Sequence, residues 1–120
     1  MKKELIDGNP LLRLSFDFSV TIIAYCEQIE ELRKYVLARQ LMRSGTSVGA
    51  NSMEAQNAES KADFIHKLKI AAKEADETQY WLLLCQRAHC FGHPDCSELL
   101  LKLDEIQKLL SAILSTAKAR

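Results

Sequence analysis

The spacing of apolar residues between two widely separated prolines constrains the fold more than any other feature of this sequence. Pro10 and Pro94 are the only prolines in 120 residues, so the long tract between them contains no proline to break a helix interior. Within that tract, apolar residues recur every three or four positions, which is the repeat of an amphipathic helix. The sequence therefore predicts an all-α protein.

The first two helices are predicted from a capping signal and from a change in the phase of the apolar repeat. Asn9 followed by Pro10 is typical of an N-cap with proline at the first helical position, and the first helix then runs to about Arg33. The charged segment 30–34 is the predicted corner, because the apolar phase resets after it. The second helix continues from there to about Ala58, with seam positions alternately four and three residues apart.

The third helix has the clearest start signal. Ser60 and Asp63 resemble a capping pair, in which the serine oxygen accepts from a first-turn amide. A short link at residues 59–61 therefore joins the second helix to the third. The apolar seam of the third helix is regular and is predicted to extend from Phe64 to His89.

The turn at residues 92–95, Gly-His-Pro-Asp, separates the third helix from the fourth. Asp95 with Glu98 is the predicted capping box of the fourth helix. Because all the links are short, consecutive helices must lie antiparallel. The prediction is an up-down-up-down four-helix bundle over residues 10–120, preceded by a disordered or frayed N-terminus over residues 1–9.

The composition narrows the classes of function. Lysine plus arginine equals aspartate plus glutamate at 16 each, so a monomer has no net field that attracts nucleic acid or an anionic membrane. The sequence has neither a signal-peptide run nor a long apolar membrane span, and we expect a cytoplasmic protein that does not bind membranes. Four cysteines are too few for a disulfide framework, so we expect reduced thiols.

The segment from Arg43 to Asn51 has the composition of a glycine-rich loop, but it is predicted to be helical. A phosphate-binding loop needs a preceding strand and a lysine after its second glycine, whereas Ala50 follows Gly49 here. The apolar repeat also runs through the segment without a change of phase. The small residues are therefore expected to let a neighbouring helix approach closely.

Polar residues of the second and third helices are predicted to form a layer in the otherwise apolar interface between these helices: Arg43, Ser47, Asn51, Glu54, Glu74 and Glu77. The favoured interpretation is a structural network of ion pairs and hydrogen bonds that fixes helix register. The alternative is a metal-dependent enzyme that uses the carboxylates of this layer. Di-metal bundles use Glu-x-x-His motifs, and no histidine stands three residues after a glutamate in this sequence.

Cysteines and histidines cluster at the end of the third helix: Cys85, His89, Cys90, His93 and Cys96. Four of them would suffice for a tetrahedral zinc site. Their spacing matches no established zinc motif, and Cys85 and His89 both fall on the predicted core seam, where thiols behave as small apolar groups. We therefore predict neither a metal nor any other cofactor.

Wide apolar stripes on the first and fourth helices predict an oligomer, because a monomer would leave them exposed. Cations also follow one another with few acids between them, in a candidate nucleic-acid patch: Arg33, Lys34, Arg39, Arg43, Lys67, Lys69 and Lys73. On a monomer this is an ordinary solvated face. In a ring the patches of all copies would add, and would form a surface for RNA or DNA.

A set of motifs in the second and third helices resembles the signature of the proteins encoded in intervening sequences of bacterial 23S rRNA genes. The matching residues are Gln40-Leu41-Met42-Arg43-Ser44-Gly45-Thr46-Ser47-Val48-Gly49-Ala50-Asn51, Glu54-Ala55, Ser60, Asp63-Phe64-Ile65, Lys67-Leu68, Ile70-Ala71, Glu74-Ala75, Glu77-Thr78 and Tyr80-Trp81-Leu82. They cover about a third of the chain densely.

The resemblance implies an up-down four-helix bundle that assembles into a homopentameric ring and has no assigned enzymatic activity. A related branch, the accessory variability proteins of diversity-generating retroelements, is strongly basic and binds a reverse transcriptase and nucleic acid. This chain differs from that branch in its zero net charge. The resulting prediction is a non-enzymatic homo-oligomeric binding or scaffold protein, associated with rRNA intervening sequences, that contacts RNA or a protein partner through its basic patch.

Overall fold

The computed structural model describes residues 3–120, which form five α-helices and one 3₁₀ turn. The helices are α1 (Lys3–Gly8), α2 (Pro10–Glu31), α3 (Tyr35–Ala55), α4 (Lys61–Arg87) and α5 (Ser97–Ala119), and the 3₁₀ turn spans Ala88–Phe91. The four long helices α2 to α5 are the four predicted from the sequence. Within the described residues there is no strand, so the all-α class is confirmed.

Capping by Asn9 fixes the start of α2 as predicted. The Asn9 side-chain oxygen accepts hydrogen bonds from the backbone N–H groups of Leu11 at 3.0 Å and Leu12 at 3.3 Å. Pro10 occupies the first helical turn, where a missing N–H leaves no hydrogen bond unmade. This cap satisfies two of the amide groups that have no partner inside the helix.

The corner between α2 and α3 lies within the predicted segment 30–34, and Arg33 makes the reversal. Its φ of 63° places it in the left-handed region, which is unusual for a residue other than glycine. The N–H of Lys34 donates back to the carbonyl of Ile29 at 3.3 Å. No glycine or proline is present here to indicate the turn, so the sequence indicated the corner only through its charged residues.

The start of α4 follows the prediction, but α3 ends at Ala55, so residues 56–60 form the link in place of the predicted residues 59–61. The Asp63 N–H donates to Ser60 Oγ at 3.1 Å, and the Glu59 N–H donates to the Asp63 carboxylate at 3.2 Å. These reciprocal bonds satisfy the exposed amides at the start of α4.

The turn between α4 and α5 differs from the prediction in two respects. Gly92 adopts the expected left-handed conformation, with φ of 98°. However, α4 ends at Arg87, and α5 begins two residues after Asp95. Asp95 accepts from the N–H and Oγ of Ser97, while Gln86 accepts from the Cys96 N–H at 2.8 Å. The predicted capping box of Asp95 and Glu98 is therefore wrong, because Cys96 is the N-cap of α5 and the Asp95 carboxylate bonds Ser97 instead of the Glu98 N–H.

The four long helices pack antiparallel in the order α2, α3, α4, α5 around a single core. α2 packs along α3 and α5, and α4 packs along α3 and α5, whereas α2 and α4 lie diagonally opposite. The described bundle is a rod of 48 × 27 × 21 Å. This arrangement confirms the predicted up-down-up-down topology.

The segment 43–51 is confirmed as helix, and its glycines face α2. A Cβ added at Gly45 would lie 2.9 Å from Ile22 Cγ2, and one added at Gly49 would lie 3.3 Å from the Ser15 carbonyl oxygen. Ile22 is fully buried. Glycine therefore permits α2 and α3 to pack closely at this level of the bundle.

The N-terminal segment forms the short helix α1, which has no buried residue. Residues 1 and 2 lie outside the described part of the chain, and fraying of residues 1–9 stays a prediction. Among residues 3–120, no helix is both long enough and apolar enough to cross a bilayer.

Candidate functional site

The most connected polar cluster joins α3 to α4 through Arg43. Its guanidinium contacts the Glu74 carboxylate at 3.2 Å and also forms an ion pair with Glu77. Glu77 accepts a further hydrogen bond from Trp81 Nε1 at 3.1 Å. The cluster lies at the surface of the described chain, since the Arg43 side chain is 48% exposed.

Hydrogen bonding shifts both members of the Arg43–Glu77 pair toward their charged forms. The hydrogen bond with Glu77 raises the pKa of Arg43 above its ordinary value. The hydrogen bond from Trp81, followed by that from Arg43, lowers the pKa of the Glu77 carboxyl. Both groups are therefore ionised at neutral pH, and the pair is an electrostatic link between two helices.

The remaining residues of the predicted polar layer lie apart from this cluster. Ser47 donates to the Arg43 carbonyl at 2.7 Å, and Asn51 donates to the Ser47 carbonyl at 2.9 Å. Glu54 lies 4.0 Å from Lys67 of α4. The structure thus brings Arg43, Glu74 and Glu77 together, while Ser47 and Asn51 bond within their own helix.

A second polar contact between the same helices lies in the core and was missed in the sequence. The hydroxyls of Ser44 and Thr78 are 2.9 Å apart, and both residues are fully buried. Thr78 Oγ1 also lies 2.7 Å from the Glu74 carbonyl oxygen. Both residues stand on predicted core seams. A polar residue on each of two facing seams could have indicated a buried hydrogen bond between them.

The carboxylates of Glu74 and Glu77 do not form an open metal site, because the Arg43 guanidinium lies against both of them. A divalent cation would have to displace that positive charge. In the part of the chain that the structure describes, no three His, Cys, Asp or Glu side chains are arranged to hold a metal ion.

The cysteine and histidine cluster is divided between the core and the surface. Cys85 and Cys96 are buried, whereas His89 and Cys90 are exposed. The predicted core position of His89 is wrong, because α4 ends at Arg87 and the following 3₁₀ turn carries His89 outward. The cluster therefore does not converge on one point.

The buried thiols of this region are not activated as thiolates. Burial raises the pKa of Cys26 to about 12 and that of Cys96 to about 11, so both stay protonated at neutral pH. Nearby, the Tyr25 hydroxyl donates to the Pro94 carbonyl at 2.7 Å. That bond anchors the α4–α5 turn to α2, which indicates a structural role for these residues.

The predicted basic patch separates into three groups. Arg33 and Lys34 are exposed at the α2–α3 corner, and Arg39 is exposed one turn into α3. Arg43 and Lys67 lie beside acidic partners on the facing helices. The third group, Lys69 and Lys73, is exposed on α4. Only the first group combines exposure, proximity in sequence and a location at one end of the bundle.

A groove of about 470 Å³ lies between α2 and α3, on the surface next to Gly49. Its walls are mainly apolar and include Phe16, Met53 and Ala50. Phe16 belongs to an exposed stripe on α2 that continues through Val20 and Ile23. The wide apolar surface predicted on the first helix is therefore exposed at these three residues.

Comparison with known proteins identifies a matching family and matching solved structures. The model of the family described as "23S rRNA-intervening sequence protein" matches residues 9–112. A crystal structure from Bacteroides thetaiotaomicron VPI-5482, described as a protein with unknown function from the S23 ribosomal protein family, is 42% identical, with a TM-score of 0.79. The match covers 87% of this chain and 97% of that chain. No curated protein matches this chain significantly.

Proposed function

We propose that this chain, which belongs to the 23S rRNA-intervening sequence protein family, is a homo-oligomeric binding or scaffold protein without catalytic activity of its own. The assembly is a ring, with five copies as the expected number. It presents one basic end to an anionic partner, for which RNA is the first candidate.

The main support for homo-oligomeric assembly is the exposed apolar surface of the isolated chain. Twelve large hydrophobic side chains are exposed among residues 3–120. They include the α2 stripe of Phe16, Val20 and Ile23, which borders the groove against α3. Contiguous apolar surface of this kind is typical of interfaces between proteins. Burial against further copies would remove it from water.

The basic end supports the choice of an anionic partner. Arg33, Lys34 and Arg39 are exposed near the α2–α3 corner. A single copy provides these three cations next to the exposed acids Glu30 and Glu31 of α2, and a ring repeats the three cations around its axis. Repetition strengthens binding to phosphates, since each neutralised phosphate releases condensed counterions.

The geometry of the Arg43 cluster argues against the alternative function, a metal-dependent enzyme. The Arg43 guanidinium already neutralises the negative charge of the Glu74 and Glu77 carboxylates. Hydrogen bonds from Trp81 and Arg43 lower the pKa of Glu77, so Glu77 stays ionised and paired with Arg43. The cluster therefore acts as a link between α3 and α4 in this proposal.

RNA binding can be tested by titrating the protein into a labelled structured RNA at several salt concentrations. The test variant replaces Arg33, Lys34 and Arg39 by glutamine. The matched control makes the same charge change on α5, at Lys102, Lys108 and Lys118, all of which are exposed. We expect the test variant to weaken binding by more than about tenfold and to reduce its salt dependence, with little effect of the control.

Two results would count against this proposal. Equal losses in both variants would indicate a general charge effect without a defined surface. Absent or salt-independent RNA binding by the wild-type protein would remove RNA as the partner and leave assembly alone.

A further inference from the structure

The exposed charges are distributed unequally among the long helices. Exposed residues of α2 include one cation and four acids: Arg13, Asp17, Glu27, Glu30 and Glu31. Those of α4 include four cations and one acid: Lys61, Lys69, Lys73, Arg87 and Asp76. The exposed charges of α5 balance, with three of each sign. The exposed residues of α2 thus have a net negative charge, and those of α4 have a net positive charge of the same magnitude.

Both surfaces also carry exposed apolar side chains. On each helix, a charged residue follows one of these apolar residues at the same spacing along the sequence. On α2, Val20 is 55% exposed and Ile23 is 40% exposed, and Glu27 stands seven residues after Val20. On α4, Tyr80 is 57% exposed and Leu84 is 42% exposed, and Arg87 stands seven residues after Tyr80. Seven residues span about 10.5 Å along a helix and return to the same face. The two faces are therefore complementary in apolar content, and their charges are opposite at Glu27 and Arg87.

One copy cannot bring these faces together, because α2 and α4 lie diagonally opposite in the bundle. Within residues 3–120, neither Glu27 nor Arg87 forms an ion pair in its own chain. Two different surfaces of one chain that match each other produce a head-to-tail contact between copies. Both faces are then covered in every copy of a closed ring.

We infer that the outer face of α2 in one copy packs against the outer face of α4 in the next copy, with Glu27 against Arg87. This inference rests on the proposed assembly and identifies its interface. Val20 and Ile23 then meet Tyr80 and Leu84 of the neighbouring copy. The groove beside Phe16 gives the protruding Tyr80 ring a place to enter.

The relative direction of the two helices follows from ring symmetry. α2 and α4 run the same way within one bundle, because successive long helices alternate. Copies in a ring of five are related by a rotation of about 72°, so these helices cannot meet antiparallel. When they lie near parallel with Val20 opposite Tyr80, Glu27 is level with Arg87. In the antiparallel direction Glu27 would instead face Lys73.

Charge reversal tests the contact directly. The mass in solution would be measured by size-exclusion chromatography with light scattering, over a series of concentrations. The proteins are wild type, Glu27→Arg, Arg87→Glu, the double variant and the control Glu105→Arg, an exposed charge of α5. Each single reversal places like charges together and should raise the half-dissociation concentration at least about tenfold. The double variant should recover assembly, and the control should match wild type.

The outcomes separate this interface from the wider proposal. An oligomeric wild type whose single variants assemble normally would overturn the interface and leave the proposed function standing. Recovery of Glu27→Arg by Lys73→Glu, without recovery by Arg87→Glu, would overturn the parallel register. If Arg87→Glu lost RNA binding while keeping its assembly, α4 would be an RNA surface and the inference would be wrong. A monomeric wild type would overturn both proposals.

Discussion

Replacing Gly45 by alanine tests how closely α2 and α3 approach each other. The new Cβ would lie 2.9 Å from Ile22 Cγ2 and 3.1 Å from Ile22 Cγ1. Ile22 is fully buried, and its β-branched side chain has few alternative rotamers in a helix. Overpacking of this kind costs about 1–3 kcal/mol, whereas alanine gains about 1 kcal/mol over glycine in a helix interior. We expect Gly45→Ala to lower the free energy of unfolding by up to about 2 kcal/mol.

Urea unfolding followed by far-UV circular dichroism measures this difference. All variants must be compared at one protein concentration, because assembly makes the apparent stability depend on concentration. Gly8→Ala is the control, since a Cβ at Gly8 meets no atom within 4 Å. Its free energy of unfolding should stay within about 0.5 kcal/mol of wild type.

Making Gly45→Ala in an Ile22→Ala variant shows whether the contact with Ile22 causes the loss of stability. Ile22→Ala alone should cost about 2–5 kcal/mol, and it removes both Cγ atoms that oppose a Cβ at Gly45. In that background Gly45→Ala should stabilise by about 1 kcal/mol, the helix propensity gain by itself. If Gly45→Ala stabilised the wild-type chain, or acted equally in both backgrounds, the close approach would be refuted.

Three further predictions follow from the polar residues and the thiols. Arg43→Ala should lower the free energy of unfolding by about 0.5–1 kcal/mol, as expected for a partly exposed ion pair; an unchanged urea midpoint together with unchanged assembly would contradict its role as a link. Because the fold lowers the Glu77 pKa below its ordinary value of 4.5, Glu77 stabilises the protein above that value and loses this effect as the pH falls. Wild type should therefore lose stability on acidification below about pH 5 more steeply than Glu77→Gln, and equal slopes would contradict the pKa shift. In the native protein only exposed Cys90 should react with a thiol reagent, and rapid reaction of a second thiol would disagree with the burial of Cys26, Cys85 and Cys96.

The fold was predictable because its determinants are local. Apolar periodicity identifies the four long helices, and Asn9 and Ser60 mark two helix starts through bonds that span only two or three residues. The α2–α3 corner was harder, since Arg33 makes the reversal in a left-handed conformation that its residue type does not indicate. Asp95 was misjudged because α5 begins one residue later than a cap at Asp95 requires, and because Asp95 binds Gln86 of the preceding helix.

The candidate site was only partly predictable, because contacts between helices depend on their rotation and axial offset. The sequence placed Arg43 near Glu74 and Glu77, since all three lie on facing polar positions. It did not indicate that Glu54 faces Lys67, nor that the Ser44 and Thr78 hydroxyls meet in the core. His89 was misplaced because a repeat extended past Arg87 gives no sign that the helix has ended.

The mass of the intact wild-type assembly, measured by native mass spectrometry from a volatile buffer near neutral pH, shows whether copies of this chain form a ring. We predict one dominant species at about five times the 13.6 kDa of the chain, with loss of single subunits on activation. A spectrum dominated by the 13.6 kDa monomer at micromolar concentration would contradict the proposed ring, because the exposed α2 and α4 faces would then have no partner among copies of this chain.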